Sequence, residues 1–516
     1  MKEKAASFCN FAAATVLGLV LQTASAAENE SRLVNPDFTK GGTIRANAKH
    51  DWNLGPTGLR GWIYANEFET SEARQIFVTK VDAGSPSAGI LQRGDVILGV
   101  AGAKFSYDPR TEFGKAIGAA EGSDGVLKLT VWRKRKTSDI VVRLPVLGSY
   151  SATAPFDCPK SQRILEQGCK TLARSMKAEP EPESEITRPL NALALLASGQ
   201  DEYLPLVRAE VARVAKYSDP KREAYHSWFY GPITILVAEY TIATGDRTFF
   251  PDLTRLALEI SRGQSSVGSW GHQFAEPGGQ LGGYGMMNAP GLPLTTSLIL
   301  AREAGVKSPE LDAAIAKSLL LLRFYVGKGS VPYGDHPAWT ETHDDNGKNG
   351  IAAVMFHLAG EVEPARYFSR MCVASYGAER DCGHTGNFFN MLWAMPGVAL
   401  SGPEATGAWM REFGWYYDLA RRWDGTFRHQ GPPEAEPDSY EGWDCTGAYL
   451  LAYAQPLRKI HLAGKRPSIA GNVDAATAAS LIEDGRYWTP RKKDSAYAEF
   501  SDEQLLKNLG SLLEQG

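Results

Sequence analysis

The sequence is sparing in the residues that most often carry redox and metal chemistry, with 6 Cys and 9 His among 516 residues. It has no strong charge of one sign: 55 Lys and Arg against 59 Asp and Glu leave a formal net charge of -4. Such a chain generates no broad field for a polyanion, and the one compact basic run, "WRKRKTSD" at 132–139, sits inside a strand pattern, which argues against nucleic-acid binding. No G-x-S-x-G elbow and no H-E-x-x-H pair occurs, so neither common hydrolase signature is present. The glycine-rich "GGQLGGYG" at 278–285 lacks the Lys and Ser or Thr of a phosphate loop and follows no strand pattern, which argues against a nucleotide.

What is there describes a large folded protein. A composition 43% hydrophobic and 22% charged is that of globular domains, and 516 residues exceed what one small core accommodates. The only long apolar run is N-terminal: "MKEK", then Phe8 to Leu21, then "TASAA" with Ala24 and Ala26 at the small-residue spacing of a cleavage site. Residues 1–26 are therefore expected to be a signal peptide, and the mature chain to be periplasmic or secreted, with no membrane attachment after cleavage. Because such compartments permit disulfides, Cys158 with Cys169 and Cys372 with Cys382 are the expected bridges. Cys9 leaves with the leader, and Cys445 is then an odd thiol, either buried or a ligand.

From 50 to 147 short alternating runs such as "QIFVTKV", "VLKLTVWRK" and "IVVRL" predict strands, and "RTEFGKAIGAA" predicts one helix. Between them, "GSPSAG", the residues Ala88 to Leu91, "RGDVIL" and the Gly102 turn occur in the order in which PDZ domains place them. The segment resembles that family, a small α+β/β fold. The resemblance implies capture of an extended protein tail by strand addition, with Leu59, Arg60, Gly61 and Trp62 of "GLRGWI" at the carboxylate-binding loop. Arg60 stands where the family usually has an apolar residue.

After Pro155 the strand pattern gives way to helical periodicity. Six pairs are predicted: 158–177 with 188–199, 203–216 with 228–244, 251–262 with 292–305, 309–326 with 347–359, 363–375 with 386–400, and 403–422 with 443–456. Pairs of this kind cannot bury an apolar face alone, so they are expected to stack, and six can close into an all-α (α/α)6 toroid over 156–456. The remainder, 457–516, reads as a short helical tail. Unusual polar and aromatic stretches precede the second helix of five pairs: "YHSWFYG", "GGYGMMNAPG", "HDDNGKNG", "DCGHTGN" and "YEGWDCTG". Alternating helix direction would carry all of them to one rim, the arrangement of a pocket or groove. The loops "GSWGHQF", "GSVPYGDHPAW" and "GTFRHQGP" lead to the same rim, and Trp270, Tyr333 and Phe427 either wall it or plug the gaps between pairs.

The whole layout, with "DDNGKNG" and "GHTGNFFNMLW", resembles an uncharacterised group of exported bacterial PDZ-plus-toroid proteins, the DUF6288 group. The helical part also looks like the α/α toroids of terpenoid cyclases, prenyltransferase β subunits, polysaccharide lyases and glycoside hydrolases. Export and the lack of a DxDD-type cluster disfavour terpene cyclisation. The leading expectation is a carbohydrate-active enzyme. Trp228, Tyr284, Asn288, Trp339, Asn349, Asn387 and Trp443 would hold a polysaccharide or other glycan. A lyase would use His384 or Tyr440 as base, and a hydrolase Asp345 with Asp444 or Glu441 as paired carboxylates. Each has a plainer explanation as a helix cap or turn residue, Asp344 and Asp345 included. The alternatives are a non-catalytic envelope scaffold that binds glycan or peptide, and a zinc enzyme drawing on Asp345, Cys382, His384, Asp444 and Cys445. No cofactor is otherwise expected, and calcium at Asp344 and Asp345 is the weaker metal reading.

Overall fold

The computed structural model describes residues 35–488, apart from 47, 49, 67–68, 179–183, 220–224, 341, 345–346, 376–379, 381–387 and 431–442. The expected signal peptide, Asp345, Cys382, His384, Asn387, Tyr440 and Glu441 thus lie outside the described residues. No described helix is long and apolar enough to cross a membrane.

The described residues form a β-sheet and helix region followed by a large, mostly helical one. The strands are β1 (Trp52–Asn53), β2 (Leu59–Ile63), β3 (Ile76–Val81), β4 (Val96–Val100), β5 (Ala103–Lys104), β6 (Val126–Arg133) and β7 (Lys136–Arg143), with α1 (Pro109–Glu121) between β5 and β6. They pair antiparallel in the order β1-β2-β3-β4-β6-β7, with β5 beside β4. Alternation sets the inner face: Leu127, Leu129 and Val131 of β6 are buried and Lys128 is exposed. Asp108 caps α1 through the Arg110 amide, and Pro109 occupies the first turn, where a missing N–H costs nothing.

The strand expected to receive a protein tail is flanked on both sides. β2 pairs with β3 on one edge, and Trp52–Asn53 pair with Gly61 and Arg60 on the other. Leu59 and Trp62 are buried, Arg60 is salt-bridged to Asp51, and a Cβ at Gly61 would come within 2.3 Å of Ile76. Leu59, Arg60, Gly61 and Trp62 therefore build the sheet, and the chain's own β1 holds the edge at which a tail was expected.

The helical region follows the predicted pairs: α2 (Pro159–Ala178) with α3 (Thr187–Ala197), α4 (Leu204–Val214) with α5 (His226–Thr244), α6 (Phe250–Arg262) with α7 (Asn288–Glu303), α8 (Pro309–Arg323) with α9 (Lys348–Ala359), α10 (Val362–Ala374) with α11 (Phe388–Ala399), and α12 (Pro403–Ala420) with α13 (Thr446–Ala454). The second helices are apolar around their circumference, and Phe388 to Val398 of α11 are all buried. They pack side by side in the order α3, α5, α7, α9, α11, α13, and α13 packs back on α3. Two close approaches need glycine. A Cβ at Gly397 would come within 2.6 Å of the Gly350 backbone, and one at Gly447 within 2.5 Å of the Asn191 backbone. The first helices lie outside, and α14 (Ala475–Trp488) packs on α10 and α12.

Residues 455–473 cross the C-terminal ends of the inner helices. Glu239 of α5 accepts from the His461 and Leu462 amides at 3.0 and 2.9 Å, Arg466 donates to the Leu358 carbonyl at 2.8 Å, and Ser468 to the Leu400 carbonyl at 2.6 Å. The opposite, N-terminal end carries the rim loops.

The two regions are joined by buried charge. Lys160 lies 3.1 Å from Glu121 of α1 and 2.7 Å from Asp418 of α12, and Arg421 lies 2.6 Å from Glu121, all buried. Tyr150 donates to Asp418 at 3.1 Å and lies 2.9 Å from the Tyr453 hydroxyl. Asn53 donates to the Leu419 and Ala420 carbonyls, and its backbone exchanges bonds of 3.0 Å with the Gln430 carboxamide.

The expected disulfides are not formed. Cys158, Cys169, Cys372 and Cys445 are all free and buried. Cys158 and Cys169 fail on geometry: α2 is continuous between them, and eleven residues of helix span roughly 16 Å, far beyond the reach of a bridge. Cys372 instead lies 3.5 Å from Asp344 and from the Ala394 carbonyl.

Two stability measurements test this description. Lys160→Met removes the cation between Glu121 and Asp418, and should lower unfolding stability in urea by about 3–5 kcal/mol. Burial holds His50 and His357 at a pKa of about 4, below the ordinary 6.5. The unfolded chain then binds protons that the folded chain refuses, so stability should fall as pH drops from 6.5 toward 4, by roughly 3 kcal/mol per histidine. His357→Gln should flatten that profile in thermal melts.

Candidate functional site

The rim is organised by the opening turns of the inner helices, whose side chains take backbone groups of the neighbouring loop or helix start. At the start of α5, His226 Nε2 accepts the Phe274 amide at 3.0 Å, and the Ser227 amide donates to the His272 carbonyl at 3.1 Å. At the start of α7, Asn288 donates to the Pro332 and Gly334 carbonyls at 2.9 and 3.2 Å. At the start of α9, Asn349 accepts the Val331 amide at 3.0 Å and donates to Ser330 Oγ at 2.7 Å and to the His343 carbonyl. Asn390 of α11 accepts the Gly347 amide at 2.6 Å, and Asn191 of α3 accepts the Gly447 amide at 2.9 Å. Asn288 and Asn349 are buried, so the turn-forming explanation accounts for both, and neither offers its carboxamide to a ligand.

Aromatic rings cover this scaffold in a continuous chain. Tyr225 meets His272 edge-on at 4.5 Å, and His272 accepts from Trp228 Nε1 at 3.0 Å. Trp228 of α5 reaches Phe389 of α11 at 5.5 Å, so two helices that are not neighbours in the ring meet here and close its centre. Phe388 continues to Trp443 at 5.4 Å and to His429 at 6.0 Å. In the other direction His272 meets Tyr284 at 6.0 Å, and Tyr284 meets Tyr333 at 6.2 Å. The buried Lys348 ammonium lies 5.7 Å from the Tyr333 ring and 5.4 Å from that of Trp339. Trp228, Tyr284, Trp339 and Trp443 are therefore brought to one end of the bundle.

Half of these rings are buried, His272, Trp339 and Trp443 are half-buried, and two are exposed. Tyr284 is 65% and Tyr225 54% exposed, on either side of His272. Tyr225 has φ of +71°, a left-handed conformation that costs energy for a bulky residue. Tyr284 stands among Gly282, Gly283 and Gly285, where an added Cβ would meet nothing within 4 Å.

The acid/base groups expected for a lyase or hydrolase are not assembled by the described residues. Asp444 caps the Thr446 amide at 3.0 Å and accepts from Asn191 at 2.7 Å, a structural use of both oxygens. No three His, Cys, Asp or Glu among the described residues are grouped to hold a metal, and Cys445 is a buried thiol whose pKa burial raises well above normal. The lyase and hydrolase expectations are corrected accordingly for this part of the rim, and of the residues expected to ligate zinc, Asp345, Cys382 and His384 lie outside the described residues. Asp344 is buried in an ion pair of 2.9 Å with Arg380, and burial raises its carboxyl pKa while the guanidinium opposes the shift. It serves as a core strut.

Residues 161–464, more than half of the chain, match the DUF6288 domain, described as a domain of unknown function. The chain belongs to the DUF6288 family. No curated protein matches it. The matched stretch begins in α2 and ends just beyond α13, so it takes in the inner ring and all three rim loops.

Three members of this DUF6288 site escaped the sequence reading: Tyr225, His272 and Lys348. His272 stood within a loop repeat already noted, and its signal was a histidine beside the Trp of "GSWGHQF". Of the possible plugs, Trp270 is one, fully buried with Nε1 on the Ile260 carbonyl at 2.9 Å, and so is Phe427, stacked on Tyr449. Asn349→Ala should leave the Val331 amide and the His343 carbonyl unpaired and lower stability by about 2–4 kcal/mol. Hydrogen exchange should accelerate in residues 329–343 first, ahead of the sheet.

Proposed function

We propose that this DUF6288 protein is an exported glycan-binding protein, an α/α toroid whose N-terminal rim holds a polysaccharide chain, with a PDZ-like domain docked at its side. The observation that carries the reading is the pair of exposed tyrosines, Tyr225 and Tyr284, set around His272 on a floor of buried rings. A pyranose presents flat C–H faces and polar edges. Tyrosine offers a rigid ring for the face and a hydroxyl for the edge, with little side-chain entropy to lose. The same groups suit a binder because the neighbouring polar side chains, Asn288, Asn349 and Asp444, are engaged in holding loops. Closure of α13 on α3 supports the toroid, and the strand order with α1 across β4 and β6 supports the PDZ-like reading. In this reading the PDZ-like domain positions the rim through Asn53 and Gln430.

The test is affinity electrophoresis of the purified protein through gels carrying a panel of soluble neutral and acidic polysaccharides. At least one polymer should retard it saturably and be recovered at its original chain length. Tyr284→Ala and Tyr225→Ala should each weaken retardation by about tenfold at unchanged melting temperature. Retardation by no polymer, or retardation indifferent to both substitutions, would overturn the reading. Shortening of the bound polymer would replace binding by turnover.

A further inference from the structure

The hairpin of β6 and β7 breaks local rules at its tip, and of its four cations only Arg133 is paired among the described residues. The two-residue turn is Lys134–Arg135, with φ of +48° and +63°. A turn with both central residues left-handed is the type that asparagine and glycine form at low cost, and two long side chains strain it. The flanking pair is Arg133 with Lys136, directly opposite in register, a like-charge pair that is unfavourable across strands. Four cations thus occupy four consecutive positions. Arg133 is neutralised, with bonds of 2.7 and 2.6 Å to the buried Asp95. Lys134, Arg135 and Lys136 are exposed and form no ion pair among the described residues. The nearest acidic group along the hairpin, Asp139, is three positions beyond Lys136 and bonded to Thr130 at 3.1 Å.

Edge strands often carry lysine to prevent sheet-to-sheet aggregation, but that purpose places charge along the strand and does not require a strained turn. Strain and self-repulsion at one exposed point are the mark of a site whose partner supplies the compensation. Three exposed cations lie in consecutive positions at one end of the hairpin, an arrangement that meets a charged surface more readily than it surrounds a single small anion. We propose that the β6–β7 tip is an electrostatic contact for a surface of anionic phospholipid headgroups, by which the protein rests on a membrane without entering it. Lys134, Arg135 and Lys136 each meet headgroup phosphate there, while Asp95 keeps Arg133 as the rigid base of the hairpin. The near-neutral net charge confines this attraction to the tip, so attachment is weak, reversible and sensitive to salt.

The experiment uses the chain from Ala27 onward, which keeps every described residue and omits the apolar leader, and sediments it with vesicles. Vesicles of 30% phosphatidylglycerol in phosphatidylcholine should carry the protein down at low salt and release it at about 0.5 M NaCl, whereas pure phosphatidylcholine should not bind it. Replacing Lys134, Arg135 and Lys136 together by Gln should weaken partition by ten- to a hundredfold. Lys134→Asn with Arg135→Gly should raise the melting temperature by relieving the turn while also weakening partition. Three results would each overturn the proposal: no sedimentation with anionic vesicles at low salt, partition unchanged in the triple variant, or retention on a soluble polyanion by the tip without vesicle binding.

Discussion

A loop laid across the end of a helical ring has backbone N–H and C=O groups that no ladder satisfies, and burying them unpaired would cost more than the loop's packing returns. The inner helices of this protein meet that constraint with their opening turns. His226, Asn288, Asn349, Asn390 and Asn191 each take polar groups from an adjacent loop or helix start. The N-terminal end of a helix is suited to the task, because its first amides have no intrahelical partner and its side chains project toward the preceding chain. With their backbone satisfied, the loops can carry large aromatic rings in fixed positions. Trp228 and Phe389 then meet across the centre of the ring and leave Tyr225 and Tyr284 on the surface.

The sheet region is held to this frame by charge placed where water is absent. Lys160 between Glu121 and Asp418, with Arg421 completing the set, is an arrangement whose net contribution to stability is small but whose disruption is costly, since any one loss strands the others. Its effect is to fix one orientation of α1 on α12. The neighbouring Asn53–Gln430 amide pair extends that orientation to the loop bearing His429. The same β1 that carries Asn53 pairs along the edge of β2, so one short strand both docks the sheet region and occupies the edge at which a protein tail was expected.

The helix pairs were legible in the sequence because each second helix is a nearly unbroken apolar run bounded by polar, glycine-rich loops. The start of α7 was placed at 292 and lies at Asn288, because Pro290 falls in the first turn, where no intrahelical N–H bond is lost, and reads from sequence as a breaker. The convergence of Trp228, Tyr284, Trp339 and Trp443 on one end followed from alternating helix direction alone. The roles of Asn288 and Asn349 did not, because a carboxamide before a helix looks the same whether it serves a ligand or a neighbouring loop. The disulfide error had a similar source: cysteines eleven positions apart can close a tight loop or span three turns of helix, and only the latter holds them roughly 16 Å apart.

Tyr225 and Lys134–Arg135 share a property that sequence patterns do not display. Each is a bulky residue held at positive φ on the surface, in a fold that supplies glycine freely at most other left-handed positions. Strain kept at an exposed point is better explained by what the side chain faces than by what lies beneath it. The two points differ in chemistry. The aromatic one sits among rings and a histidine, suited to a face that is partly apolar. The cationic one sits alone on a hairpin tip, suited to a surface of opposite charge. A protein that holds a polymer at its rim gains from a second, weak attachment elsewhere, since tethering to a surface raises the local concentration of both partners without any new contact at the rim.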